Sequence, residues 1–346
     1  MKKFAWTIIK VTFILLLLIA AATIIVDPFI HFHKPLGKWA AVETSERYAL
    51  IGVAKNMDYD TALIGSSMSE NFLASWFEDG TFGNSCVKLC LQGAHFDDFN
   101  ILLNEVLQHD KTKTVLFCLD TYLLTNIPGE YPTTIPAYLS DDNLFNDIYY
   151  ILNKDVVFEY IPKFILNNKW ENYSADSAYT WQDMFVFSKD SVISTYKTQR
   201  LTTTFEEKPY DLYLDNCDAF LSSMIPYIED NPDVTFYFYA SPYSILFWDD
   251  SMRRGDTAAE ITAYAYVCER LLKYKNVRMF YFQNATDIIT NLDNYRDYSH
   301  FSQDINYFMF ESMRDGKYEL EEDTYYDTLI DMYNYAKSYD YESLFQ

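Results

Sequence analysis

Five largely apolar runs of strand length govern what this chain can fold into: TALIG (61–65), CVKLCL (86–91), KTVLFCL (113–119), VTFYFYA (234–240) and VRMFYF (277–282). They are rich in β-branched and aromatic residues and lack the in–out alternation of a half-exposed strand, so both faces of each are expected to be covered. Between several of them lie segments of helical period, at 69–77, 97–109 (DDFNILLNEVLQH) and 257–274 (TAAEITAYAYVCERLLKY). This alternation predicts an α/β fold of three layers, α/β/α, around a five-stranded, mostly parallel sheet. Ligands then belong at the C-terminal ends of the strands.

The interval 121–210 interrupts the pattern. IPGEYPTTIPAYL carries three prolines, and NLFNDIYYILNKDVVFEYIPKFILNN is helical and strongly aromatic, so this interval is expected to be an insertion after the third strand. It would form a lid, a substrate wall holding a sugar ring or acyl chain, or a subdomain packed on its own aromatics. After residue 303, QDINYFMFESM and the acidic YELEEDTYYDTLIDMYNYAKSYDYESLF are expected to be closing helices.

The start of the chain bears on compartment. Phe4 to Val26 is apolar apart from Thr7, Lys10, Thr12 and Thr23, and a helix of that length spans about 34 Å, enough for a bilayer core with slight tilt. Lys2, Lys3 and Lys10 mark the cytoplasmic side, which puts the rest of the chain outside. Residues 1–27 are thus expected to be a single-pass cell-membrane anchor and 28–346 an extracytoplasmic domain. A cleaved signal peptide is the alternative, with Ala20 to Ala22 as the cleavage site; the apolar Ile24, Ile25 and Val26 beyond it favour the anchor. Either way the body is exported. Phe29, Phe32 and Trp39 with Lys34 and Lys38 resemble an interfacial belt. His31 and His33, with no thiol nearby and no carboxylate following them closely, read as part of that belt rather than as metal ligands.

A formal net charge of −23 and the lack of a Lys/Arg cluster beyond the first residues argue against a nucleic-acid partner. The five cysteines include no close pair of metal-binding type, and Cys86 and Cys90, on one strand, would stand about 13 Å apart, too far for a disulfide. They read as small buried apolar residues. No metal or cofactor is implied. A flavodoxin-like nucleotide or flavin binder is disfavoured, because no glycine-rich phosphate loop follows the first strand and the body lies outside the cytoplasm.

Chemistry concentrates at two distant points. In TALIGSSMSENF a buried strand ends at Gly65 and runs into Ser66, Ser67 and a helix-like pattern. A hydroxyl at a helix N-terminus suits a nucleophile, whereas Ser67 with Glu70 has the spacing of a capping box, in which the serine merely satisfies N–H groups. In NYRDYSHFSQDIN, Asp297 and His300 follow the last strand, and a short turn would aim both one way. An imidazole that takes a serine proton and a carboxylate that fixes its tautomer are the partners a serine nucleophile requires.

Together these segments resemble the SGNH, or GDSL-like, hydrolase superfamily. Gly65-Ser66-Ser67 is similar to its first block in the Gly-Ser-Ser form of the membrane-anchored proteins that assist D-alanylation of teichoic acids and, broadly, of alginate acetylation proteins. LQGAH is similar to the second block, and Asp297 and His300, followed by Phe301 and Ser302, to the last. The resemblance covers about 61–310. It implies an SGNH/flavodoxin-like sheet, Ser67 as nucleophile, His300 as base, Asp297 as its orienter, and the N–H groups of Ser67 and Gly93 as an oxyanion hole. The implied activity is that of a serine esterase or O-acyltransferase on a cell-envelope polysaccharide or teichoic-acid-like polymer, working with an integral-membrane acyltransferase; a silent polymer-binding partner of such an enzyme is the alternative. The third block departs: FCLDTYL has no asparagine, and Asp120 or Thr121 occupies that region, removing one oxyanion donor. Ser66, His95, Asp120 and Ser241, with Tyr243 nearby, are candidate substrate contacts.

Overall fold

The computed structural model describes residues 1–36, 45–141, 143–170 (167–170 by their backbone), 176 and 178–346. Lys38 and Trp39 of the expected interfacial belt lie outside the described residues. The chain forms two compact units, Met1–Asp58 with Thr133–Tyr179, and Tyr59–Pro132 with Thr180–Gln346.

The larger unit is built on a sheet of β1 (Thr61–Gly65), β2 (Cys86–Cys90), β3 (Thr114–Cys118), β4 (Thr235–Ala240), β5 (Val277–Tyr281) and β6 (Glu319–Leu320), in the order β2-β1-β3-β4-β5-β6. The first five strands pair in parallel. Each lies where an apolar run predicted it, and every residue of β1, β2 and β3 is buried. Lys88 does not break this rule for β2, because its Nζ donates to the carbonyls of Glu70 (2.8 Å) and Phe72 (3.1 Å). All five cysteines are buried.

Two expectations need correction. The sheet has six strands and is mixed: β6 pairs antiparallel with β5 through Met279–Leu320 and Phe280–Glu319. A two-residue strand is too short to show any period, and its residues were absorbed into the expected closing helices, which form at Gln303–Asp315 and Tyr325–Ser338. The helix expected at 69–77 is absent. Residues 66–72 make successive turns, Ser69 N–H to Ser66 C=O (3.0 Å) and Phe72 N–H to Ser69 C=O (3.2 Å), before a 3-10 helix at Ala74–Glu78. Ser69, Glu70 and Asn71 are polar in sequence yet fully buried, held by tertiary partners rather than by helical bonds. The helices Phe96–Leu107 and Thr257–Leu271 do form as expected.

Of the 121–210 interval, 133–179 belongs to the smaller unit, and 121–132 and 180–210 belong to the sheet unit. The smaller unit has its own aromatic core, in which Phe29, Ala49, Leu139, Tyr150, Val156 and Ile161 pack together. The Phe29 ring stacks on Tyr48 at 5.2 Å and meets Tyr160 at 4.8 Å. Asp27 ends the first helix, Lys2–Val26, and gathers four donors: the N–H groups of His31, Phe32 and His33 and the Tyr150 hydroxyl. His31 has a carboxylate partner after all, Asp147 at 3.0 Å, distant in sequence and brought in by the fold. The Lys2–Val26 helix is long and apolar enough to cross a membrane, and almost none of it is buried.

Candidate active site

In the strand order, the chain passes from β1 outward to β2 and then returns to β3 on the other side of β1. That reversal opens a crevice at the C-terminal ends of β1 and β3, the place where doubly wound sheets bind ligands. Ser66 and Ser67 follow β1, and Asp120 follows β3. A cavity of about 520 Å³ opens there, lined by Ser66, Ser67, Gly93, His95, Asp120, Tyr243 and His300, with Tyr213, Arg254, Asp256, Glu260 and Tyr298 farther along its wall.

Ser67 Oγ lies 3.0 Å from His300 Nε2. His300 Nδ1 in turn lies 2.9 Å from Asp297 Oδ2 and 3.1 Å from Oδ1. A tight turn makes this possible: Arg296 N–H bonds His300 C=O (3.0 Å), and Asp297 Oδ1 accepts the N–H groups of His300 (2.8 Å) and Ser299 (2.9 Å). Burial alone would push the Asp297 carboxyl up, but the hydrogen bond and charge of His300, with those two N–H groups, hold it well below the usual carboxylate range. Asp297 is therefore an ionised acceptor. It fixes the proton on Nδ1 and leaves Nε2 free to accept from the Ser67 hydroxyl.

The Ser67 turn is held from several directions. Gly65 admits no side chain, since a Cβ there would come within 2.2 Å of Ser69 Oγ, which bonds the Tyr239 hydroxyl at 2.7 Å. Asn306 Nδ2 donates to Met68 C=O (2.9 Å) and Gln303 Nε2 to Asn71 C=O (2.9 Å), so the helix that follows His300 braces the turn that carries Ser67. Ser67 caps no helix, and Glu70 instead accepts from Gln92 Nε2 (3.3 Å). The capping-box reading and the helix-dipole argument both fall with the missing helix.

Gly93 is the third residue of a turn closed by Ala94 N–H to Leu91 C=O (3.3 Å), and its φ of +63 suits the glycine position of a type II turn. Among the described residues, neither the Gly93 nor the Ser67 N–H donates to a protein acceptor. His95 also lines the cavity, stacked on Tyr131 at 4.3 Å, and its N–H donates to Asp98 at the start of the Phe96–Leu107 helix.

Asp120 is fully buried and committed. Its Oδ2 accepts from Ser66 Oγ (2.5 Å), and its Oδ1 accepts from the Tyr243 hydroxyl (2.7 Å) and Cys118 Sγ (3.3 Å). Ser66 Oγ also accepts Met68 N–H (3.2 Å). Ser66 thus links the Ser67 turn to the end of β3. Ser241 is not brought to the cavity; it is fully buried against Cys118 Sγ at 3.3 Å.

Two residues of the site carried no sequence signal. Trp181 Nε1–H donates to Ser67 C=O (3.1 Å), and the ring meets His300 edge-on at 5.7 Å. The Arg296 guanidinium lies over Trp181 (4.2 Å) and Phe185 (4.0 Å) and donates to Asp297 Oδ2 (3.3 Å).

No protein-family model matches the chain, and no curated protein matches it in sequence. Any functional reading therefore stands on this geometry and on the short motifs.

Proposed function

We propose that this chain is a membrane-anchored, extracytoplasmic serine esterase or O-acyltransferase of SGNH type, acting on a cell-envelope glycopolymer. The observation that carries the reading is the unbroken Ser67–His300–Asp297 relay at the switch point of the sheet, open to a cavity large enough for an acylated sugar. Ser67 Oγ attacks the acyl carbonyl while His300 Nε2 takes its proton, and the imidazolium is stabilised by Asp297. The N–H groups of Ser67 and Gly93 hold the oxyanion. His300 then returns the proton to the leaving oxygen. It next deprotonates water or a sugar hydroxyl, which takes the acyl group from Ser67, and the proton then passes from His300 to the departing Ser67 Oγ. The hydroxyls of Tyr213 and Tyr298 and the charges of Arg254 and Asp256 give the cavity lining the polarity a hydroxylated acceptor needs.

The length and composition of the Lys2–Val26 helix support a span, with the lysines inside. A span would keep the site near membrane-delivered donors, nascent polymer or an integral-membrane acyltransferase. One observation favours the alternative of a silent polymer-binding partner: the segment after β3, with Asp120 and Thr121, has no asparagine to serve as a third oxyanion donor. A fluorophosphonate probe separates the two. The enzyme reading expects covalent labelling of the full chain that is lost in Ser67→Ala; no labelling of the wild-type chain, under conditions that label a control serine hydrolase, refutes it.

A further inference from the structure

The helix Ile148–Ile151 and the turn before it are amphipathic in reverse. Asp147 and Tyr150 face inward, to His31 and Asp27, whereas Phe145, Ile148, Tyr149 and Leu152, spaced i, i+3, i+4 and i+7, face outward. Phe145 is 92% exposed and its neighbour Leu144 81%. Phe158, Ile165 and Leu166, on the segments that follow, are exposed as well. An outward face this apolar marks an interaction surface.

Its position names the occupant. These segments pack against the outer end of the Lys2–Val26 helix, where Thr23 is fully buried and its Oγ donates to Ile151 C=O at 3.1 Å. Ile151 therefore sits at the depth of Thr23. If Phe4–Val26, about 34 Å long, is centred on a hydrocarbon core of about 30 Å, Thr23 lies about 2 to 3 Å inside its outer boundary. If Lys10 marks the inner boundary instead, Thr23, about 20 Å farther along the helix, lies about 10 Å inside the outer boundary. In either register the elements beside Thr23 must enter the apolar layer, which accepts the outward Phe145, Ile148, Tyr149, Phe158 and Leu166, while the exposed Asp155, Glu159 and Lys163 must point back to the headgroups.

We infer that Leu144–Leu166 forms a monotopic collar around the exit of the N-terminal helix, its apolar face embedded in the lipid of the outer leaflet. The exposed Lys154, with Asp155 at 3.5 Å, follows the apolar face directly, and its long stem lets the ammonium reach headgroups. The collar adds a second, shallow attachment to the single span and limits how far the smaller unit can tilt or lift from the bilayer.

The inference rests on the reading of the N-terminal helix as a span, and the test keeps the two apart. The full chain is reconstituted in phosphatidylcholine–phosphatidylglycerol vesicles as single-label variants Leu16→Cys, Phe145→Cys, Phe158→Cys and Ser222→Cys, each carrying a small environment-sensitive fluorophore; the native cysteines are buried. Lipids brominated along the acyl chain should quench the 16, 145 and 158 labels at least two-fold and leave 222 unchanged, while aqueous iodide should quench 222 at least five-fold more than 145 and 158. Quenching at 16 with none at 145 and 158 overturns the collar and leaves the span standing. That result holds whether iodide reaches those labels or a second copy of the chain shields them. No lipid quenching at 16 overturns both.

Discussion

Replacing Asp297 by Asn changes one atom and inverts the relay. Asp297 Oδ1 accepts the N–H groups of His300 (2.8 Å) and Ser299 (2.9 Å), and these two donors hold the amide oxygen of an Asn in that same place. The amide nitrogen then falls where Oδ2 stood, 2.9 Å from His300 Nδ1. A donor there drives the imidazole to the opposite tautomer, with Nδ1 bare and Nε2 protonated, so Nε2 can no longer take the Ser67 proton across its 3.0 Å separation. A carboxylate-to-amide exchange of this kind costs on the order of 10⁴ in rate, about 5 kcal/mol of transition-state stabilisation. The turn keeps its backbone acceptor, but the exchange removes a carboxylate that His300 holds ionised and sets the amide against Arg296 Nε, so Tm should fall by several degrees. The second-order rate of fluorophosphonate labelling reads nucleophile activation without requiring the natural acyl group. A labelling rate within ten-fold of wild type, measured on the folded variant well below its Tm, would refute the relay and leave Ser67 and His300 as mere neighbours.

Ser66→Ala removes the shortest donor to the buried Asp120 carboxylate and should destabilise the chain by about 1–3 kcal/mol, read as a lower urea midpoint, with slower labelling because the Ser67 turn loses its link to β3. Gly93→Ala meets no atom within 4 Å, yet forces a side chain onto a φ of +63; it should cost about 1–2 kcal/mol and reduce labelling only insofar as the turn shifts its N–H. Glu260, in the cavity wall, has its carboxyl pushed up to about 7, first by burial and then by Asp256, against the Ser251 hydrogen bond and Arg254. A raised acid contributes stability that is complete below its unfolded value of 4.5 and lost as pH rises through 7. Across that window this group should lower the unfolding free energy by about 3 kcal/mol, and urea titrations at pH 5 and pH 8 should show Glu260→Gln abolishing that slope.

The five parallel strands were legible because burial on both faces leaves an uninterrupted apolar run, a signal that survives without knowledge of any partner. Ser67 and His300 were legible for a related reason: each follows such a run, and parallel strands deliver all their C-terminal ends to one rim. What escaped depends on contacts between distant segments. Ser69, Glu70 and Asn71 look like the polar face of a helix, and only Tyr239, Gln92 and Trp181, which supply their bonds, make an irregular buried turn the better structure. Trp181 and Arg296 resemble any aromatic and any cation until the turn at 296–300 stacks them beside Asp297. Asp147 is the partner that His31 lacked in its own neighbourhood. The proline-bearing interval 121–210 was seen to leave the sheet, but its division at Thr180 left no mark in composition, because both parts are equally aromatic.

On the proposed mechanism the Asp120 carboxylate, beside a developing oxyanion, would be destructive if it were free. It is not free. Three donors from three strand ends, Ser66 after β1, Cys118 at the end of β3 and Tyr243 after β4, converge on its two oxygens. An asparagine could accept on one side only, and its amide would have to face either Ser66 or Tyr243, each of which would then need to turn its hydroxyl away. In this chain the position is a strut that clamps the switch point and so holds the Ser67 turn. On the proposed mechanism the hole keeps two backbone donors, and the missing third costs about 3 kcal/mol, or two decades in rate. On that mechanism the acyl-enzyme would form and decay slowly, and transfer to a polymer hydroxyl held at high local concentration would suit such a site better than rapid hydrolysis by water.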